Sequence, residues 1–251
     1  MSQASSNPET PKSDGQGPSR VGVGQMFNRI APRYDLLNRT LSFGLDASWR
    51  KKVRSRLPKR QPLKVLDVAT GTADLALTLI EDDKTESVLG VDIAEEMLAL
   101  GREKAARHPQ GKQVRLESGD ALKLQGWGKF DVVTISFGIR NVLDVDQALR
   151  EMRAVLNPGG RAMVLEFSTP EAGFFRSAYE LYRAHVLPRV GGLVSGDSGA
   201  YRYLDDTIRT FPSGEAFLQK MRAAGFSDTQ AHPLTFGTVT LYEGNVPETT
   251  A

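Results

Sequence analysis

The chain has 251 residues, 32 basic and 30 acidic side chains, a formal net charge of +2 and no cysteine. That length suits one domain with a substantial core, and the near balance of charge gives no general case for nucleic acid. The missing cysteine excludes disulfides, thiolate metal sites and a cysteine nucleophile, and no apolar run reaches the roughly 18 residues of a membrane-spanning helix.

Residues 1–20 are polar and rich in Ser, Pro and Gly, which predicts a disordered tail, and no apolar segment follows a basic start as in a secretory signal. A cytoplasmic protein is expected, with residues 21–251 as a single domain. Val23, Met26, Phe27, Ile30, Tyr34, Leu36 and Leu37 recur at mostly helical spacing, with an interruption at Pro32, and lead to a basic helix at Arg50–Arg56. Residues 21–60 therefore read as an N-terminal helical cap. Tyr34, Asp35 and Asn38 place polar groups among its aromatics, the composition of a ligand cover. Lys51, Lys52, Arg54, Arg56, Lys59 and Arg60 read first as a solvated charged face and alternatively as a lipid-headgroup contact.

Leu63–Leu75, LKVLDVATGTADL, is an apolar strand that breaks into small residues before a helix begins at Asp74. Small residues let a ligand approach the backbone, and a helix start presents free N–H groups. Asp67-x-Ala69-x-Gly71-x-Ala73 resembles the acidic-x-G-x-G-x-G loop of S-adenosylmethionine (SAM) methyltransferases, with alanine at the outer glycine positions. A second strand, Val88–Val91, ends in Asp92, where an acidic residue grips ribose hydroxyls. The alternative for Asp92 is an N-cap of the following helix, 94–107.

The third strand, Val114–Glu117, ends in Ser118, Gly119, Asp120 and Ala121, where an adenine would sit. Phe130–Phe137 reads as a central buried strand delivering Ser136, Gly138, Arg140 and Asn141 to the pocket rim. A helix over Val145–Leu156 stops at Asn157-Pro158-Gly159-Gly160, and a fifth strand, Arg161–Phe167, follows. This alternation predicts an α/β, doubly wound, mostly parallel sheet. Residues 169–213 break the alternation with an aromatic-rich helical stretch that includes Phe174, Phe175, Tyr179 and Tyr182. It reads as a lid insertion, with a homodimer face as the alternative. Helix 213–224 and an antiparallel strand pair, Ser227–Leu234 with Thr238–Tyr242, complete the sheet.

YDLLNRTLSFGLDASW (34–49), ISFGIRN (135–141) and RAVLNPGGRAMVLEFS (153–168) resemble the three characteristic segments of the ubiquinone/menaquinone biosynthesis C-methyltransferases, in the expected order. Leu37 and Asp46 depart from the first pattern, which usually carries methionine and histidine there. The Asp46 difference puts a catalytic role at that position in doubt.

The resemblance implies a Rossmann-like, SAM-dependent enzyme with an antiparallel final strand that methylates the ring carbon of a prenylated quinol. It implies SAM contacts at Thr72, Asp92, Asp120, Ala121 and Ser136, beside the loop residues Gly71 and Asp67. The short chain is more similar to menaquinone-only members, so a demethylmenaquinol is the expected substrate. A ubiquinone-precursor benzoquinol and a small-molecule O-methyltransferase reaction are the alternatives. A sulfonium methyl needs an electron-rich carbon, which a quinol supplies and a quinone does not. Arg140 and Asn141 are the candidates for holding the ring oxygens, against a salt bridge and a turn as their ordinary roles. Tyr34, Asp35 and His185 are the candidates for proton removal. His108, His232 and the carboxylates form no metal-binding spacing, so metal independence is expected. A prenylated substrate implies peripheral membrane contact at the inner face of the membrane, through the basic cluster or the lid.

Overall fold

Continuous apolar runs bury both faces of a strand, and in the computed structural model, which describes residues 20–170, 176, 181 and 198–248, they form the middle of a seven-stranded sheet. β1 (Leu63–Val68), β2 (Thr85–Asp92), β3 (Val114–Ser118), β4 (Phe130–Ser136) and β5 (Leu156–Phe167) are parallel. β6 (Ser227–Leu234) and β7 (Val239–Asn245) follow, with β7 antiparallel to both β5 and β6, and the spatial order is β3-β2-β1-β4-β5-β7-β6. The expected Rossmann-like sheet with a reversed final strand is the observed one. Its order reverses between β1 and β4, which opens a crevice at their carboxyl ends.

Strand alternation divides the core between the two faces. Leu66, Val68, Val133, Ile135, Val164 and Tyr242 pack on one side. Val65, Val132, Met163, Leu165 and Leu241 pack on the other, with Trp49, Val53 and Leu79. Each such aliphatic side chain stabilises the fold by about 1.5–3 kcal/mol through burial. The helices α3 (Asp74–Ile80), α4 (Glu95–Arg107), α5 (Val145–Ala154), α6 (Ser198–Thr210) and α7 (Glu215–Ala223) flank the sheet connections. Asp144 caps α5 by accepting from the Gln147 N–H at 2.8 Å.

Two expectations are corrected. The N-terminal helix α1 (Arg20–Leu41) runs through Pro32 without interruption, before α2 (Leu45–Ser55). Val23, Met26, Ala31 and Leu37 hold one face of α1 buried, while Pro32 is exposed, so the carbonyl it leaves unpaired can meet water. The Asn157-Pro158-Gly159-Gly160 run lies inside β5, not before it: Leu156 pairs with Phe130 and Arg161 with Val132, so the extra residues form a bulge. The Gly159 N–H donates to Val246 O and the Val246 N–H to Gly160 O, which satisfies the bulged backbone against the chain leaving β7.

The expected tail and most of the expected lid, including Phe174, Phe175, Tyr179, Tyr182 and His185, lie outside the described residues. No helix among the described residues is long and apolar enough to cross a membrane.

Candidate active site

β1 ends in Asp67 and Val68, and the chain then turns through Ala69 (φ 51°), Gly71 (φ 55°) and Ala73 (φ 66°) into α3. The two alanines adopt the left-handed conformation that glycine takes most easily, at about 1–2 kcal/mol each. That is how a loop with one glycine keeps the shape of a three-glycine loop. Gly101 lets α4 close on it, because a Cβ there would stand 2.9 Å from Leu116 and 3.2 Å from the Thr72 backbone.

Asp92, at the end of β2, accepts from the Gly71 N–H (2.8 Å) and the Ala94 N–H (2.9 Å). It makes no side-chain cap for α4, whose N-cap is Ala94. Burial raises its pKa, opposed by the N–H groups of Ala94, Gly71 and Ile93. A carboxylate oxygen can accept more than one hydrogen bond, and Asp92 lines the cavity, so it can also accept from a ligand.

A cavity opens over this loop, with about 780 Å³ of empty space when the part open to solvent is included. Gly71, Asp92, Asp120, Ala121, Ser136, Asn141 and Tyr34 line it, so the structure brings together seven of the residues singled out from sequence. Val23 and Phe27 of α1, which the sequence marked only as part of an apolar helix face, and Met97 of α4, Ile93 and Leu143, which it did not single out, supply further wall.

Asp67, Thr72 and Arg140 do not line the cavity. Asp67 is buried beneath the loop, accepting from Thr70 Oγ1 (2.7 Å) and, across the β1–β4 pairing, from Thr134 Oγ1 (2.6 Å). Burial pushes its carboxyl up to about 6, with the two hydroxyls opposing. A folded-state pKa raised above the ordinary 3.8 contributes stability that is full below pH 3.8 and lost as pH rises through 6. Asp67→Asn is neutral throughout, so denaturant unfolding should show the variant gaining about 3 kcal/mol relative to wild type between pH 4 and pH 7.5. A pH-independent difference would remove Asp67 as the buried titrating group.

Thr72 is buried and ties the helical cap to the loop. Its hydroxyl donates to Asp35 Oδ1 (2.6 Å) and accepts from Lys104 Nζ (2.8 Å), and Lys104 also pairs with Asp35 (2.5 Å) and Asp74 (2.6 Å). Arg50 extends the chain of charges from Asp74 (3.2 Å) to Asp46 (2.5 Å). Asp46 is thus a buried structural anion: burial opposes its ionisation, but Arg50 and Ser42 hold its carboxyl below the usual value. Its contribution is present above the unfolded pKa and is lost as pH falls through the lowered one.

Arg140 stands behind the wall. Its guanidinium bonds Glu166 (2.7 Å) and the Phe137 carbonyl (2.6 Å), with Glu166 fully buried and the Arg140 side chain 7% exposed. The salt bridge that the sequence left as an alternative is therefore present. Burial raises the Glu166 pKa against the pull of Arg140. The arginine Nε and the Asn141 Oδ1 are buried and have no hydrogen-bond partner among the described residues. Burial also raises the Tyr34 phenol, with Asn38 and Arg140 pulling it down, so near neutral pH Tyr34 is a hydrogen-bond donor and not a base.

Three of the six basic residues on and after α2 form ion pairs within the protein, while Lys51, Lys52 and Lys59 are exposed. Arg54 pairs with Glu81, Arg56 with Glu243 and Arg60 with Asp131. His108 sits at the end of α4, its Nδ1 accepting from the Gln110 N–H at 3.2 Å.

The sequence model of the ubiE/COQ5 methyltransferase family matches residues 14–245. The chain belongs to that family. The resemblance seen in the three segments is thereby borne out, and the protein is an enzyme of the SAM-dependent methyltransferase class. Demethylmenaquinone methyltransferase of Thermus thermophilus is 48% identical over 223 residues, covering 88% of this chain and 100% of that protein. The protein of the same name in Deinococcus radiodurans is 46% identical, covering 89% and 92%. The ubiquinone/menaquinone biosynthesis C-methyltransferase UbiE of Geobacter sulfurreducens is 46% identical, covering 88% and 87%. Among solved structures, a SAM-dependent methyltransferase of Thermotoga maritima matches with TM-score 0.60 at 20% identity, over 88% of this chain and 98% of that one. The [4+2]-cyclase SpnF matches with TM-score 0.66 at 18% identity, over 92% and 97%. Likeness at that identity shows the fold alone, and a cyclase on the same fold shows that the sheet does not fix the chemistry.

Proposed function

We propose that this methyltransferase moves the methyl group of SAM to the ring carbon of a demethylmenaquinol, giving a menaquinol. The observation that carries the reading is one cavity with two kinds of lining. Gly71, Asp92, Asp120 and Ala121 line it, and so does Asn141, whose Oδ1 is buried without a hydrogen-bond partner among the described residues, together with the apolar Ile93, Met97 and Leu143. The relatives named for demethylmenaquinone supply the substrate class.

The first kind of lining fits SAM. A Cβ placed on Gly71 would meet nothing nearer than Tyr34 Cε1 at 4.0 Å, so the space beside the loop backbone is open to a ligand. Asp92 would take the ribose hydroxyls, Asp120 and Ala121 the adenine, and Ser136 the methionine end, with Thr72 and Asp67 fixing the loop from behind. Bound SAM supplies an electrophilic sulfonium methyl. The protein's own residues then align the acceptor and stabilise phenolate charge on it, and no enzyme nucleophile is required. Asn141, on the cavity wall, would hold a ring oxygen with Arg140 standing behind it, and Tyr34 closes the cavity from α1. The ring proton then passes to water, which restores aromaticity.

Ile93 (38% exposed) and Leu143 (50%) sit at the cavity mouth and offer an isoprenoid tail an apolar exit toward a membrane surface. With Arg54, Arg56 and Arg60 paired internally, the basic cluster offers a headgroup only the exposed Lys51, Lys52 and Lys59 in addition to this apolar mouth. Residues 21–251 are read as one methyltransferase domain.

Turnover of short-tailed demethylmenaquinol and of the matching benzoquinol, each with and without reductant, tests the reading. Product from the naphthoquinol only when reduced is expected. Equal turnover of both rings would extend the substrate range, and SAM binding without turnover of either would overturn the function.

A further inference from the structure

Tyr203 projects from α6, which packs against the turn formed by residues 139–141. Its hydroxyl is buried and has no hydrogen-bond partner among the described residues. Two further buried atoms in the same condition, Arg140 Nε and Asn141 Oδ1, belong to the turn that α6 covers. Arg140 is also the charged group that acts on the Tyr203 phenol. Asn141 lines the cavity, while Arg140, on the same turn, and Tyr203, on the helix packed against it, are not on its lining but behind it. Buried polar atoms are nearly always paired, so three unpaired ones on two touching elements point to a polar ligand that reaches past Asn141 and completes them.

Their chemistry narrows that ligand. Arg140 Nε–H is a donor, and the Tyr203 hydroxyl is one as well, because burial pushes its pKa up to about 12. Asn141 Oδ1 is an acceptor: its amide nitrogen is turned to the Phe137 carbonyl at 3.5 Å, and flipping it would set two oxygens against each other. Two donors and one acceptor suit a ligand carrying both a negative or partly negative oxygen and a hydroxyl. A quinol losing one proton has both, whereas a quinone has only acceptors and would leave Asn141 unpaired.

We propose that Tyr203 is a further catalytic residue of this enzyme, donating with Arg140 Nε–H to the ring oxygen on which charge develops, while Asn141 Oδ1 accepts from a ring hydroxyl. The assignment rests on the quinol reading above and deepens it. Neither the nucleotide loop nor the cap supplies this contact; it comes from the segment after the sheet's fifth strand, so α6 is part of the acceptor site.

Tyr203→Phe removes one oxygen and keeps the ring. Wild type and variant are compared for kcat and KM with anaerobically reduced, short-tailed demethylmenaquinol, for SAM affinity by calorimetry, and for Tm. The expected result is a 10- to 100-fold fall in kcat, the size of a lost hydrogen bond to a charged group. SAM affinity should stay within twofold and Tm should be unchanged or raised, since the hydroxyl lost had no partner in the fold. Wild-type kcat in the variant would overturn the proposal. So would a large drop in Tm, which would make the hydroxyl a structural group with a partner. No turnover by the wild type would overturn the proposed function and this assignment with it, and it is read separately from a variant that matches an active wild type.

Discussion

Glu166→Leu is expected to lower stability by about 3–5 kcal/mol and to abolish methyl transfer. The carboxylate is fully buried and is the counter-charge of Arg140, whose side chain is itself 7% exposed. Replacing it with leucine keeps the volume but leaves a desolvated guanidinium without its anion, the costly way to break a buried pair. It also removes the acceptor for the Phe167 N–H at 2.8 Å. For a chain of this size Tm should fall by roughly 6–20 °C, at about 2–4 °C per kcal/mol. The double variant Glu166→Leu with Arg140→Met separates the two effects. Removing both charges should recover much of the stability, because paired burial is close to neutral against an apolar replacement. Activity should stay absent, since Arg140 Nε is lost. Recovery of activity with stability would mean that Arg140 serves only the fold.

Asp92→Ala is expected to weaken SAM binding about 100-fold, or about 2.7 kcal/mol, while the fold persists. The carboxylate has one oxygen on Gly71 N–H and the other on Ala94 N–H, and it lines the cavity, where it would accept from a ribose hydroxyl. Alanine removes the ribose acceptors and also releases the loop from the end of β2. Asp92→Asn separates these, since its one amide oxygen can keep the Ala94 contact but its NH₂ would face the Gly71 N–H. Calorimetric titration with SAM should therefore rank wild type above Asn and Asn above Ala. Equal affinity across the three would remove Asp92 from the cofactor site.

The sheet was legible where its causes are local. Val65, Leu66 and Val68, or Val132, Val133 and Ile135, are apolar on both strand faces, which only a covered parallel strand requires. Local punctuation misled at Pro32 and at Pro158-Gly159-Gly160, because the buried face of α1 and the pairing of β5 with β7 outweigh it. At the site, Gly71 and Asp92 were legible because a turn after a strand and an acid at the next strand's end are adjacent in any sheet of this order. The Arg140–Glu166 pair was not. It depends on β4 and β5 being neighbours in the register that sets Ser136 beside Leu165. A charged residue inside the apolar run Met163–Phe167 was the available signal for Glu166. Tyr203 had no signal at all, since its meaning comes from α6 lying on a turn more than 60 residues earlier. Asp46, where a histidine is usual, becomes intelligible only beside Arg50 and Asp74.

The most direct measurement is the position of the transferred methyl group. The enzyme is supplied with SAM carrying a ¹³C-methyl label and with anaerobically reduced demethylmenaquinol, and the product is read by carbon NMR. The account predicts the label as an aryl methyl on the ring carbon beside a phenolic oxygen. A label in the shift range of an aryl methyl ether would contradict it and make the protein an O-methyltransferase.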